Sequence, residues 1–239
     1  MITVPKSIAI PGLDDRGYNA NIEYILFDLE EHKKHLIWDS ADIETTFVET
    51  GTFFGHGVMS ALALGARDIH SIELSKPHFL TAKLKITLLA ITNSDILVET
   101  TATQDYFSVS FMNQIRISLY RGDSGDTLPR VLENITDKAT FWLDAHWGPD
   151  LNSDLTEDSP AEELFPIFKE LEAIKAHNIK EHTIMIDDIH QFEEIYPGKL
   201  PTLKRRIKSI NKKYKFKKSS KSSNEGAGNI LISKVPDAS

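Results

Sequence analysis

The stretch TFVETGTFFGHGVMSALALGARDIHSIE, residues 46–73, decides the fold. Phe47-Val48 is a short apolar run of the kind a buried strand carries. It breaks into Glu49-Thr50-Gly51-Thr52-Phe53-Phe54-Gly55-His56-Gly57. Val58, Ala61, Leu62 and Leu64 then recur at helical spacing, and Gly65 supplies a C-cap. A second apolar run, Ile69 to Leu74, holds an acid, Glu73, near its end. Strand, glycine-rich turn, helix, strand and terminal acid is the order of the nucleotide-binding half of a doubly wound α/β sheet.

Each residue type has a physical reason. Gly51 and Gly55 admit positive φ and let a ligand lie against bare backbone. The helix start beyond them offers unpaired N–H groups to a carboxylate or phosphate. A carboxylate at the end of the second strand can accept hydrogen bonds from both hydroxyls of a ribose. The glycine row, Gly51-x-x-x-Gly55-x-Gly57, departs from the G-x-G-x-x-G fingerprint of dinucleotide sites. The E-x-G-x-x-x-G pattern of Glu49, Gly51 and Gly55 resembles motif I of class I S-adenosylmethionine (SAM) methyltransferases instead. That resemblance implies SAM as cofactor. Glu49 then sits near the methionine amine, Gly51, Thr52, Phe53 and Gly55 shape the methionine and ribose side, and Glu73 holds the ribose. The plain alternative is a strand–turn–helix with no ligand.

Composition sets outer limits. A chain of 239 residues, 41% hydrophobic, is long enough for one α/β domain with a sizeable core. A net charge of −8 argues against a generic nucleic-acid binder. With no cysteine, disulfides and thiolate metal sites are excluded. MITVPKSIAIPGLDD shows neither a basic n-region nor a long apolar h-region, so no signal peptide is expected. No stretch approaches the apolar length of a bilayer span, and a soluble, cytoplasmic protein is the expectation.

Residues 1–44 are expected to form a cap segment, irregular around Pro5, Pro11 and Gly12. Ile22, Ile25, Leu26, Leu29, Leu36 and Ile37 then make a mostly helical stripe. This segment either covers the cofactor cleft or packs on the sheet; residues 45–239 form the main domain. Ser75 is a good N-cap, Pro77 lies in the first turn, and the helix runs to about Ala90. Residues 93–114 are longer than a plain βαβ connection needs and read as an insertion: a lid, a partner-facing element or a structural elaboration. Ile117 to Tyr120 is the third strand, followed by Arg121-Gly122-Asp123-Ser124. The residues alone read as a turn and a helix capped at Asp126, with Pro129 in its first turn. The methyltransferase resemblance implies that Asp123 and Ser124 contact the adenine.

Thr140 to Leu143 is the fourth strand, ending in Asp144-Ala145-His146-Trp147 at the sheet's ligand-binding edge. This is not the [DNS]-P-P-[YFW] of enzymes that methylate exocyclic amines of nucleic acids. The acidic loop Gly148–Ser159 imitates calcium-loop spacing but lacks its glycine (Leu155) and its final glutamate (Ala161). Ser159, Pro160 and Glu162 open a helix with a capping box, and Leu164, Ile167, Phe168, Leu171 and Ile174 form its buried stripe. Thr183 to Ile186 is the fifth strand, leading into Asp187-Asp188-Ile189-His190. Two adjacent carboxylates at a strand end repel, so a cation or strong donors must compensate them. With Asp144 they make three hard oxygen ligands suited to Mg²⁺. The set resembles the metal-dependent O-methyltransferases of the macrocin and novobiocin type. The resemblance implies metal ligation by Asp144, Asp187 and Asp188, with Asp144 also lining the cofactor site and His146 or His190 as general base. The W-L-D-A-H-W context and the spacing to the D-D pair depart from those enzymes.

Leu200 to Ile210 reads as the last helix, and Tyr214–Lys218 and Gly228–Val235 as a terminal antiparallel hairpin. The expected fold is therefore one Rossmann-like domain, a mostly parallel seven-stranded sheet with that hairpin at its edge and helices on both faces. Lys204 to Lys221 holds ten basic residues and no acid, leaving 17 basic against 35 acidic residues elsewhere. Those lysines protect an edge strand or form a patch for RNA or an anionic membrane. The expected activity is methyl transfer from SAM to a hydroxyl oxygen of a small-molecule or sugar-containing acceptor, assisted by a divalent metal. The rivals are a metal-independent methyltransferase acting on RNA or protein through the basic stretch, a nicotinamide-dependent oxidoreductase, and a non-catalytic SAM-binding module. A homodimer is compatible with the chain.

Overall fold

Alternation along the strands builds two cores, one on each face of a single sheet. The computed structural model describes residues 43–94, 96–112, 114–146, 159–219 and 230–236. The expected 21–38 stripe, the loop 147–158 and the turn 220–229 lie outside the described residues. The strands are β1 (Thr46–Thr50), β2 (Asp68–Glu73), β3 (Leu97–Ala102), β4 (Tyr106–Phe111), β5 (Arg116–Arg121), β6 (Ala139–Leu143), β7 (Thr183–Ile186), β8 (Lys215–Ser219) and β9 (Ile230–Lys234). The helices are α1 (His56–Ala63), α2 (Lys76–Thr92), α3 (Ser124–Leu132), α4 (Ala161–Leu164), α5 (Ile167–Ala176), α6 (Ile189–Ile195) and α7 (Leu200–Ile210). Among the described residues the sheet has nine strands in the order β3-β4-β5-β2-β1-β6-β7-β9-β8. The pairs β5–β2, β2–β1, β1–β6 and β6–β7 are parallel and the outer pairs antiparallel. No described helix is long and apolar enough to cross a membrane.

Phe47, Ile69, Ile117, Trp142 and Met185 point to the face covered by α1 and α2, where Val58, Phe79 and Ile86 close the first core. Val48, Ile72, Phe141, Ile184 and Leu231 point the other way, onto Leu128, Leu171, Phe192 and Ile207 of α3, α5, α6 and α7. The winding direction reverses between β1 and β6. Their carboxyl ends therefore flank the crevice where open α/β sheets take ligands.

The count of seven strands is corrected to nine, because 97–111 is a hairpin that extends the sheet. Phe107, Val109 and Phe111 alternate into the first core. Tyr106, Ser108 and Ser110 face the other side, where Ser108 Oγ lies 3.1 Å from Ser118 Oγ. The helix expected from Ser159 onward is broken at Phe165. A residue before proline is pushed out of the α region, and Phe165, before Pro166, is extended at φ −146°. The cap of α3 is Asp123 rather than Asp126. Its carboxylate accepts the Asp126 N–H at 3.1 Å, which leaves Pro129 inside the helix.

His182, fully buried at the start of β7, is neutral by construction. Its Nδ1 accepts the Ala139 N–H at 3.1 Å, so the proton sits on Nε2, 3.0 Å from His177 Nδ1. Burial pushes its pKa down to about 4 from 6.5. The unfolded chain takes up a proton below pH 6.5 and the folded chain does not, so stability falls from there to about pH 4. The loss is about 3 kcal/mol. We expect His182→Asn, whose Oδ1 can still accept the Ala139 N–H, to flatten this acid limb in melting curves recorded across that range. An unchanged limb would show that other groups carry it.

Candidate functional site

The turn after β1 runs against the ends of two neighbouring strands. Gly51 has φ +82°, and its N–H donates to Ile72 O at 2.9 Å. A Cβ there would stand 2.6 Å from the carbonyl oxygen of Asp144. Phe53 is left-handed at φ +49°, which aims its N–H at Glu73 Oε2, 2.7 Å away. The Ser75 N–H takes the other oxygen, Oε1, at 2.8 Å. Glu73 is thus fixed at the carboxyl end of β2, and Gly55, at φ +80°, starts α1 beside it. Burial raises the pKa of Glu73 to about 7, against the pull of the backbone N–H groups of Ser75, Phe53 and Leu74. Phe53, whose N–H binds this carboxylate, and Leu74, the next residue after it, are large apolar side chains left 43% and 41% exposed.

Glu49 lies deeper. In the β1–β2 register it sits opposite Ser71, whose hydroxyl donates to Glu49 Oε2 at 2.5 Å. Because Ser71 donates there, its oxygen accepts from Thr52 Oγ1, 2.6 Å away. The Glu49 carboxyl also fills the space beside Gly57, where a Cβ would meet Oε1 at 1.7 Å. Burial raises its pKa to about 8, although the Ser71 bond opposes this. Sequence reasoning missed Ser71, and it read Gly57 only as part of the glycine row, without its contact to Glu49. Ser71 shares a strand face with Glu73, two residues on, but only the register reveals its partner.

Asp123 and Ser124 lie at the carboxyl end of β5, at the start of α3. The Ser124 hydroxyl points away from solvent and donates to Glu170 Oε1 at 2.6 Å. Glu170 is fully buried, and burial raises its pKa to about 7 despite the hydroxyls of Ser124 and Thr50. It too was missed, because a glutamate within a helical run reads as surface.

At the carboxyl ends of β6 and β7 the structure brings together Asp144, His146 and Asp188. One ligand atom from each lies within 4.8 Å of the others. His146 Nε2 is 3.0 Å from Asp188 Oδ2 and 3.7 Å from Asp144 Oδ1. His190 Nδ1 stands 3.6 Å from the other Asp188 oxygen. Asp188 is held at φ +47°, a strained angle for any residue but glycine, asparagine or aspartate. The expected ligand Asp187 is not part of this trio; its Oδ1 accepts the Asp188 N–H at 2.8 Å. Burial, then the charge of Asp187, pushes the pKa of Asp144 well up, while His146 pulls it down. The hydrogen bond from His146 holds Asp188 below the usual carboxylate range. Two carboxylates and an imidazole converging with excess negative charge form a donor set that fits a divalent cation.

No family model matches this sequence, and no curated protein matches it. Solved structures do match. An O-methyltransferase from Bacillus cereus in complex with S-adenosylhomocysteine (SAH) has a TM-score of 0.53 at 13% identity, covering 88% of this chain and 82% of that one. A cofactor-bound protein from MTB has a TM-score of 0.50 at 12% identity, covering 88% and 81%. At these identities the likeness is one of fold: the Rossmann-like α/β fold that this chain shares with the SAH-bound O-methyltransferase.

Proposed function

We propose that this chain is a SAM-dependent methyltransferase acting on a hydroxyl oxygen of a small-molecule or sugar-containing acceptor, with a divalent cation at the Asp144–His146–Asp188 cluster. The observation that carries the reading is the glycine cradle between two fixed carboxyls. Glu73 is clamped by the N–H groups of Phe53 and Ser75, and Glu49 is wired through Ser71 to Thr52, with Gly51 pressed between. Glu49 suits the methionine amine, Glu73 the ribose hydroxyls, and Asp123 and Ser124 the adenine.

SAM supplies the methyl group: the acceptor oxygen forms a C–O bond as the sulfonium C–S bond breaks to a neutral thioether. A divalent cation at the cluster would acidify the acceptor hydroxyl. Asp144, Asp188 and His146 would hold it, with Asp187 orienting Asp188 through its backbone N–H. The imidazole widens the choice beyond Mg²⁺ to Mn²⁺ and other borderline ions. His190 is then the base that takes the hydroxyl proton. It is 46% exposed on its side chain and faces Asp188 from outside the trio, so it is free to exchange protons with water.

Calorimetric titration with SAH tests the cofactor class. We expect micromolar affinity, about −8 kcal/mol. Glu49, with a pKa near 8, is largely protonated at pH 7, and a cationic amine beside it favours the carboxylate. Binding should therefore release a proton, and the observed heat at pH 7 should change linearly with the ionisation enthalpy of the buffer. Absence of SAH binding, with or without Mg²⁺ or Mn²⁺, would overturn the reading; NAD(H) binding in its place would favour an oxidoreductase.

A further inference from the structure

We infer that the α7–β8 edge is a docking surface for single-stranded RNA, whose ribose hydroxyls would make it a sugar-containing acceptor, an inference that takes its reaction from the methyl transfer proposed above. Residues 204–218 contain nine basic side chains and no acid, in a chain of net charge −8. The fold concentrates them. Lys204 and Lys208, one turn apart on α7, place their Nζ atoms 5.6 and 5.7 Å from the centre of the Phe216 ring. Phe216 and Lys218 share one face of β8, and the exposed Lys215 and Lys217 share the other, so positive charge wraps the sheet edge from both sides. Arg206 is spent on an ion pair with Glu172.

The register gives the surface a direction. Lys218 pairs with Leu231, and Leu231 pairs with Ile186, the residue before Asp187 and Asp188. Strands lie about 4.8 Å apart, so Lys218 stands laterally about 10 Å from the end of β7. β8 runs parallel to β7, and its basic row leads from the far end of the sheet towards the carboxylate edge. Five strand residues span about 17 Å, longer than a single phosphate needs and suited to a chain of them. A partly exposed aromatic ring between cations is the usual pairing for a base and its flanking phosphates. The large exposed apolar side chains among the described residues, such as Ile91, Val98 and Met112, lie elsewhere, which favours RNA over a membrane surface as the partner of this edge.

Lysines also guard edge strands against pairing, and the test separates the two roles. Glutamate guards an edge as well as lysine does, but repels phosphate. The full chain is titrated with fluorescein-labelled oligouridylate at several salt concentrations. We expect binding that weakens with salt, the slope of log K against log salt being about −0.7 per phosphate neutralised. The triple variant Lys215→Glu, Lys217→Glu, Lys218→Glu should bind at least ~10-fold more weakly with a flatter slope, while its melting temperature and SAH affinity stay unchanged. Phe216→Ala should weaken oligouridylate but not polyglutamate. No oligouridylate binding by the wild type, equal binding by the triple variant, or a preference for polyglutamate or phosphatidylserine vesicles overturns the inference. If oligouridylate binds and SAH does not, the docking surface stands and the methyl-transfer reading falls.

Discussion

Gly51→Ala should abolish measurable SAH binding and lower the melting temperature. Two separate costs meet at this residue. Its φ of +82° is left-handed, which costs a residue with a Cβ about 1–2 kcal/mol. The added methyl would also stand 2.6 Å from the Asp144 carbonyl oxygen and 2.9 Å from its carbon, both backbone atoms. Overpacking of this kind costs typically about 1–3 kcal/mol. Together they amount to roughly 3 kcal/mol, or about 6–12 °C in a domain of this size. Relief would have to come from β1 and β6 parting at the crevice. Two other glycines resolve the terms. Gly65, at φ +103°, has open space for 4 Å around the position a methyl would take, so Gly65→Ala should show strain alone: a small melting shift and unchanged SAH affinity. Gly57 is helical, but a methyl would meet Glu49 Oε1 at 1.7 Å. Gly57→Ala should therefore expel the Glu49 carboxyl and weaken SAH without matching the stability loss of Gly51→Ala. Equal effects at all three positions would mean that neither the clash nor Glu49 matters.

Asp188→Asn should remove divalent-cation binding and leave SAH affinity intact. Asparagine is the right probe because, like aspartate, it tolerates the left-handed φ of +47° seen here, so the backbone need not move. The substitution deletes one negative charge from the trio and weakens the 3.0 Å contact to His146. Mn²⁺ binding, followed by electron paramagnetic resonance, should fall by at least ~100-fold, in line with the loss of a metal ligand or of the partner that orients one. In EDTA the melting temperature should change little, because the variant sheds a charge that raises the Asp144 pKa but also loses the His146 contact that holds Asp188 below the usual carboxylate range. Asp187→Asn keeps an oxygen to accept the Asp188 N–H and should cost less. Equal Mn²⁺ affinity in Asp188→Asn and wild type would remove the metal from the proposal. Cation binding lost as fully in Asp187→Asn as in Asp188→Asn would restore the three-aspartate set expected from the sequence.

Much of the fold was legible because its signals are local. The Glu49–Gly55 turn, the Ser75 cap with Pro77 and the apolar run into Asp187-Asp188 each need only a few neighbouring residues. The β3–β4 hairpin was not legible because serines occupy alternate positions of β4, so its outward face reads as a polar loop. The break of the helix at Phe165 was masked by an apolar stripe that continues in step across Pro166. At the site, what could be read was which residues end strands. What could not be read was which side chains meet across them. Ser71 joins Glu49 only because of the β1–β2 register, and Glu170 reaches Ser124 only because α5 packs on α3. His146, expected as a possible base, stands 3.0 Å from Asp188 and 3.7 Å from Asp144 and so joins their cluster, which Asp187 does not. Side-chain direction beyond a strand end is set by the loop, not by strand alternation.

The placing of β9 between β7 and β8 has a consequence for synthesis. Because β8 precedes β9 in the chain, it cannot take its final position when it leaves the ribosome; the slot beside β7 must first be filled by a strand not yet made. Until residues 230–234 emerge, β7 has an open edge, and the aspartates that follow it rest on an incomplete sheet. The half carrying β1, β2 and β5 can already be paired by then, since domains form from the N-terminal side during translation. A nascent chain stalled before residue 230 would thus present the glycine turn without a finished carboxylate cluster.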